Sequence, residues 1–303
     1  MTRMYLRGVL APIPTPFDRN GQLDDARMRE MCVRLAGTPL VGLVVLGTTG
    51  EAMLLDEDES DRAIAAARAA WSIRPQGRPF IVGTGRESTV ATIRACKRAA
   101  DLGADAVLVR TPGFYKGQMN TDVFVRHYTA VAEASPVPVL LYNFTAVTGV
   151  NISADAVARL SEHSNVIGIK ESGGNVAQIA EFVKRTPDDF RVLAGSTATF
   201  HAALRAGARG GILALSCLLP DACNRLFELS VQGKEEEANA LQERLLPLAK
   251  LVGSMHGIAG LKAAMKLAGY DVGDVRSPLV PVSDATVTVL RDALASFQET
   301  AVV

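Results

Sequence analysis

The sequence predicts a closed (β/α)8 barrel followed by a C-terminal helical extension. Short apolar runs recur along the chain and alternate with segments of helical periodicity. Eight such units in roughly 220 residues match a barrel in number and size, whereas an open, doubly wound sheet more often has about five to seven strands. We therefore expect a barrel over residues 1–225 and a helical region over residues 226–303.

The predicted strands are short and almost wholly apolar, as strands covered by helices must be. They cover residues 9–13, 42–46, 80–83, 106–110, 139–142, 166–170, 191–194 and 210–214. The predicted barrel helices cover residues 23–35, 60–71, 89–102, 121–134, 154–163 and 176–185. In the extension, amphipathic stretches predict helices over residues 222–232, 234–251, 260–267 and 283–296.

Capping residues support this alternation of strands and helices. Ser88 and Ser153 stand directly before two predicted helices, where a hydroxyl can accept from the first free N–H groups. Gly103 and Gly207 follow alanine-rich helical stretches, where a left-handed residue can end a helix.

Composition narrows the class of function. The 32 basic and 32 acidic residues balance, so no overall charge favours nucleic acid or an anionic membrane, and a small-molecule substrate is expected. The four cysteines form no C-x-x-C pair, and the four histidines are far apart, so we expect buried thiols and neither a metal nor another cofactor. The first residues form no signal peptide, which predicts a cytoplasmic protein.

Lys170 is the strongest candidate for chemistry. It follows the apolar run Val-Ile-Gly-Ile at residues 166–169, so its amine is expected at the end of a buried strand. Desolvation there favours the neutral amine, which is the nucleophile toward carbonyls. The alternative is a strand-end lysine that reaches solvent along its apolar stem.

Other polar residues fall at the same end of the predicted barrel. Gly47, Thr48 and Thr49 follow the second strand, where N–H groups and hydroxyls can hold a carboxylate. Tyr142 ends the fifth strand, next to the strand of Lys170, and its phenol can carry protons. An ordinary turn and a structural tyrosine remain the alternatives, but together these residues favour Schiff-base chemistry.

With these residues in place, the chain resembles the dihydrodipicolinate synthase/N-acetylneuraminate lyase family of pyruvate-dependent class I aldolases over nearly its whole length. The resemblance rests on Ala11-Pro12-Ile13-Pro14-Thr15-Pro16-Phe17, Gly47-Thr48-Thr49-Gly50-Glu51, Thr111-Pro112, Leu141-Tyr142-Asn143, Gly168-Ile169-Lys170-Glu171-Ser172 and Leu193-Ala194-Gly195-Ser196.

The resemblance implies roles for several residues. Lys170 would form an imine with pyruvate or a longer 2-oxo acid, Tyr142 would shuttle protons, and Thr48 and Thr49 would bind the carboxylate. Thr48 would also extend a hydroxyl relay toward Tyr142. It further implies a homotetramer built from tight dimers and no metal, since the imine serves as the electron sink.

Two further site positions follow from the resemblance. The tyrosine that the family contributes across a subunit interface falls near Phe114 and Tyr115, and we choose Tyr115. Leu213, with the segment before it, matches the wall of the site after the eighth strand, where backbone groups face the substrate.

One departure from the family pattern narrows the function. Synthases of the lysine pathway carry an arginine where this chain has Val147, and valine cannot bind the carboxylate of an aldehyde substrate. Other stretches, including residues 111–119 and 257–262, resemble the 4-hydroxy-2-oxoglutarate aldolase branch. The sequence therefore predicts reversible cleavage of a 4-hydroxy-2-oxo acid to pyruvate or glyoxylate-type products. The alternatives are condensation of pyruvate with aspartate semialdehyde, or non-catalytic binding of a 2-oxo acid.

Overall fold

The computed structural model describes residues 4, 6–72 and 77–299. Eight parallel strands close into one barrel in sequential order, with β8 paired to β1. The strands are β1 Gly8–Pro12, β2 Gly42–Val45, β3 Phe80–Gly83, β4 Ala106–Arg110, β5 Val139–Asn143, β6 Val166–Glu171, β7 Arg191–Ala194 and β8 Gly210–Ile212. The predicted barrel is confirmed.

Helices cover the outside of the barrel and continue beyond it. Around the strands they are α1 Asp25–Ala36, α2 Glu57–Trp71, α3 Thr89–Asp101, α4 Thr121–Ala134, α5 Thr145–Thr148, α6 Ala154–Ser161, α7 Val176–Arg185 and α8 Phe200–Arg205. After β8 follow α9 Pro220–Val231, α10 Glu235–Lys250, α11 Gly257–Leu267 and α12 Asp284–Glu299.

Small residues let the strands approach each other. A Cβ built on Gly168 would lie 2.2 Å from the carbonyl oxygen of Arg191, and one on Gly210 would lie 2.1 Å from that of Gly8. Larger side chains fill the barrel interior instead, among them Leu10, Ile81 and Leu140. The barrel is thus a packed core with its open end left for a site.

The predicted caps are present. The hydroxyl oxygens of Ser88 and Ser153 accept from the N–H groups of Ala91 and Ala156. The two short helices α5 and α8 were not predicted, because four and six residues are too few to show a helical period.

The C-terminal region returns to the barrel. Pro247 lies inside α10, and a π-helical turn, Leu251–Met255, joins α10 to α11. In the described part of the chain, no helix is both long and apolar enough to cross a bilayer. The division between residues 1–225 and 226–303 stays a prediction, and residues 1–3 and 300–303 lie outside the described residues.

Candidate active site

A cavity of about 680 Å³ opens at the carboxyl ends of the strands. This volume lies within the range of small-molecule sites. Loops after β2, β3, β4 and β5 line it, and Ile258 and Leu279 close it from the C-terminal region. Parallel barrels place their chemistry at this end, so the cavity is the candidate active site.

Lys170 and Tyr142 are direct neighbours across two strands. They form a register pair between β5 and β6, and both are 4% exposed. The amine of Lys170 lies 4.4 Å from the centroid of the Tyr142 ring. Tyr142 lines the cavity, whereas Lys170 is not among the described residues that line it. The amine therefore lies against the phenol ring at the edge of the cavity.

A hydroxyl bridge joins Tyr142 to the turn after β2. The Thr48 Oγ1 lies 3.0 Å from the phenol oxygen of Tyr142. Gly47 and Thr48 line the cavity, whereas Thr49, half-buried, is not among its described lining residues. The structure thus brings Lys170, Tyr142, Thr48 and Gly47 together and sets Thr49 one position away.

The turn after β2 has an unusual backbone. Leu46 and Glu51 flank it with φ angles of 57° and 52°, the left-handed region that side chains other than glycine rarely adopt. Each such residue costs on the order of 1–3 kcal/mol, so surrounding contacts must hold the turn. The sequence motif gave no sign of this strain.

Glu51 supplies those contacts through the C-terminal region. Its side chain is wholly buried and lies 2.6 Å from the Lys262 amine, which is 1% exposed. Its other oxygen accepts the backbone N–H of Arg276 at 2.8 Å. Burial lowers the pKa of Lys262 against the opposing effect of Glu51. Sequence reasoning missed this pair, since 211 positions separate its members (262 − 51).

A second carboxylate orders the loop after β4. Glu87 accepts from the N–H groups of Gly113 and Phe114 at 3.0 and 2.9 Å, and its side chain pairs with Arg110 at 2.8 Å. Burial acts to raise the pKa of Glu87, but these donors outweigh it and leave the pKa below its ordinary value. Glu87 was another residue that the sequence did not single out.

The loop after β4 carries two aromatic residues, Phe114 and Tyr115, which differ in their exposure to the cavity. Phe114 lines the cavity, whereas Tyr115 does not and is 68% exposed. The rings meet edge to face, with centroids 5.1 Å apart. Tyr115 is therefore not brought to the group formed by Lys170, Tyr142 and Thr48 of the same chain.

Leu213 lies directly after β8. It is fully buried after β8 and is not among the described residues that line the cavity. Its N–H donates to the carbonyl oxygen of Leu10, and its own carbonyl oxygen accepts from the N–H and hydroxyl of Ser216. Those bonds hold the end of β8 in place, and the role of Leu213 in the site stays a prediction.

A (β/α)8 barrel with a buried lysine beside a tyrosine at its open end has the arrangement of a class I, Schiff-base aldolase. Residues 5–296 match the dihydrodipicolinate synthetase family. The chain belongs to this family, so the resemblance recognised in the sequence is confirmed. Membership also confirms the prediction of an enzyme of the aldolase/lyase type.

Curated relatives span nearly the whole chain. A 4-hydroxy-tetrahydrodipicolinate synthase of Exiguobacterium is 33% identical over 293 residues, which cover 96% of this chain and 98% of the relative. A probable mitochondrial 4-hydroxy-2-oxoglutarate aldolase of Emericella nidulans is 35% identical over 294 residues, which cover 96% and 94%.

Solved structures share the fold over the same span. A dihydrodipicolinate synthase from Thermotoga maritima has a TM-score of 0.91 and 33% identity, covering 97% of this chain and 99% of its own. A monomeric dihydrodipicolinate synthase variant, at 33% identity and a TM-score of 0.90, covers 97% of both chains. The tetramer of this chain stays a prediction.

Proposed function

We propose that the chain is a pyruvate-dependent class I aldolase whose nucleophile is Lys170. Its neutral amine adds to the keto carbon of pyruvate or of a longer 2-oxo acid, and loss of water gives an imine. In cleavage the protonated imine accepts the electron pair of the carbon–carbon bond that breaks. In condensation it first loses a proton from C3, and the resulting enamine donates the electron pair of the bond that forms. The contact between the Lys170 amine and the Tyr142 ring carries this proposal.

The neighbouring groups have matching roles. The Tyr142 phenol moves protons to and from the reacting oxygens, and the bridge to Thr48 gives it a hydroxyl partner. Gly47, Thr48 and Thr49 hold the substrate carboxylate. Tyr115, exposed on its own subunit, is the proposed contribution to a neighbouring site in a tetramer.

Tyr142→Phe is expected to lower kcat by about 10²- to 10⁴-fold, because it removes the proton carrier and keeps the ring against Lys170. Steady-state kinetics of pyruvate formation or use would measure this. Tyr128→Phe is the matched control: Tyr128 is fully buried in α4, and its hydroxyl donates to the Val109 carbonyl. The control should retain its kcat, and wild-type kcat in Tyr142→Phe would contradict the role.

The choice of carbonyl partner rests on two observations that point in different directions. Several curated relatives are named 4-hydroxy-tetrahydrodipicolinate synthase, including those of Exiguobacterium and Methanothrix thermoacetophila. These names support condensation with aspartate semialdehyde better than the cleavage reaction that the sequence predicted. The condensation is therefore the first candidate.

Val147 favours the second candidate, cleavage of a 4-hydroxy-2-oxo acid. It lines the cavity and is 58% exposed, at the position where lysine-pathway synthases carry an arginine. In this reaction the imine carbon accepts electrons as the C3–C4 bond breaks, and the C4 hydroxyl gives up its proton. Protonation of C3 and hydrolysis then release pyruvate.

Two coupled assays on one preparation would separate these candidates. Wild type is expected to turn over pyruvate with aspartate semialdehyde well above the level of Lys170→Ala. Only background turnover with aspartate semialdehyde, together with cleavage of 4-hydroxy-2-oxoglutarate, would support the cleavage reaction as the function. Turnover in neither assay would contradict both.

A further inference from the structure

The cavity wall carries more positive than negative side chains. Arg86, Arg110 and Lys116 line it together with the carboxylates Glu51 and Glu87. Both candidate reactions involve an aldehyde that bears a carboxylate, so their substrates bring a second negative charge. The cations of the wall are the groups that can bind it.

Three of these five charges are already paired within the protein. Glu87 pairs with Arg110 at 2.8 Å, and Glu51 pairs with Lys262 at 2.6 Å. Within the described residues, neither Arg86 nor Lys116 has a carboxylate within ion-pair distance. Two cations are therefore left for an anionic ligand.

Arg86 is the less suitable of the two. Its guanidinium donates to the Gly85 carbonyl oxygen, and the side chain also lines a small second pocket with Glu57 and Asp61. Burial and the charge of Arg110 lower its pKa. Part of its surface therefore faces the acidic residues of α2 and away from the cavity.

Lys116 lines the same cavity as Val147. It begins a single 3-10 turn, Lys116–Gln118, after β4, and its amine packs over the end of α5. A Cβ built on Gly149 would lie only 2.8 Å from Nζ of Lys116. Gly149 has a φ of 70° and ends α5, two positions after Val147. The bare glycine leaves the space that the amine occupies.

We propose that Lys116 binds the second carboxylate of the substrate and so determines the preference of this enzyme for dianionic substrates. Its ammonium can form an ion pair with this carboxylate, whereas the apolar side chain of Val147 cannot. Thr48, which also lines the cavity, holds the first carboxylate beside the imine. This inference rests on the proposed imine chemistry at Lys170.

Competition against pyruvate tests the inference without needing the aldehyde. Two competitors would be titrated against borohydride trapping of the pyruvate adduct: 2-oxoglutarate, which has a distal carboxylate, and 2-oxopentanoate, which has a methyl group in its place. In wild type, 2-oxoglutarate should have the lower inhibition constant. Lys116→Met should raise the ratio of the inhibition constant of 2-oxoglutarate to that of 2-oxopentanoate about tenfold. That is the effect expected from the loss of one charge-assisted hydrogen bond.

Matched variants complete the experiment. Lys116→Arg should keep the wild-type ratio, as should Lys184→Met, which removes an exposed lysine of α7. An unchanged ratio in Lys116→Met, or a rise found in Arg86→Met instead, would overturn the role of Lys116 alone. Absence of any trapped pyruvate in wild type would overturn the imine chemistry and this inference with it.

Discussion

Lys170→Ala is expected to abolish the pyruvate adduct and to lower turnover at least 10³-fold, because it removes the amine proposed to form the imine. Borohydride reduction in the presence of pyruvate, followed by peptide mass spectrometry, would locate the adduct in wild type. The mass increase should fall on the peptide that contains Lys170. The same treatment of Lys170→Ala should leave every lysine peptide unmodified.

Thermal unfolding of Lys170→Ala would show whether its lost turnover reflects the missing amine or an unfolded protein. Lys170 is 4% exposed, and within the described chain no carboxylate lies within ion-pair distance of it. Lys170→Ala breaks no ion pair of the described chain, so its loss of turnover should come with a folded protein that unfolds in a cooperative transition. Lys184→Ala, on the exposed face of α7, should retain both adduct and turnover. A persistent adduct in Lys170→Ala would assign the nucleophile elsewhere.

The fold was predictable because its signals are local. Each strand is a short apolar run, and cap residues such as Ser88 and Ser153 mark where the following helices begin. The boundaries shifted by a few residues: β8 ends at Ile212, two positions before the predicted end. A barrel depends on the count and order of such units, so these shifts did not affect it.

The site was predictable only where strand order decides it. Tyr142 and Lys170 lie next to the last residues of consecutive strands, and consecutive strands of a sequential barrel are neighbours, so their contact follows from position. Leu213 directly follows β8, and its backbone bonds to Leu10 and Ser216 depend on how the chain folds after that strand. Position along a strand does not determine such packing.

The C-terminal region contributes to the site in a way that residue periodicity could not indicate. Lys262 lies in α11, whose amphipathic pattern predicts a helix but not its partner. The charged groups of Lys262 and Arg276 both pack against the Phe17 ring, at 4.4 and 4.3 Å from its centroid. The turn that carries Thr48 is thus held from outside the barrel.

Lys262→Met is expected to destabilise the protein by about 3–5 kcal/mol, because it leaves the Glu51 carboxylate buried without its cation. The midpoint of thermal unfolding should fall by roughly 5–15 °C. Glu51 also ends the strained turn of Thr48, so the KM for pyruvate should rise. Differential scanning calorimetry and steady-state kinetics would measure the two effects.

Lys266→Met is the matched control in the same helix. Its amine pairs with Asp274, and both side chains are largely exposed, so its removal should cost less than about 1 kcal/mol. The double variant Glu51→Gln with Lys262→Met removes both buried charges and should be less destabilised than the sum of the single variants. Additive losses, or a Lys262→Met midpoint equal to that of the control, would show that the buried pair does not hold the turn.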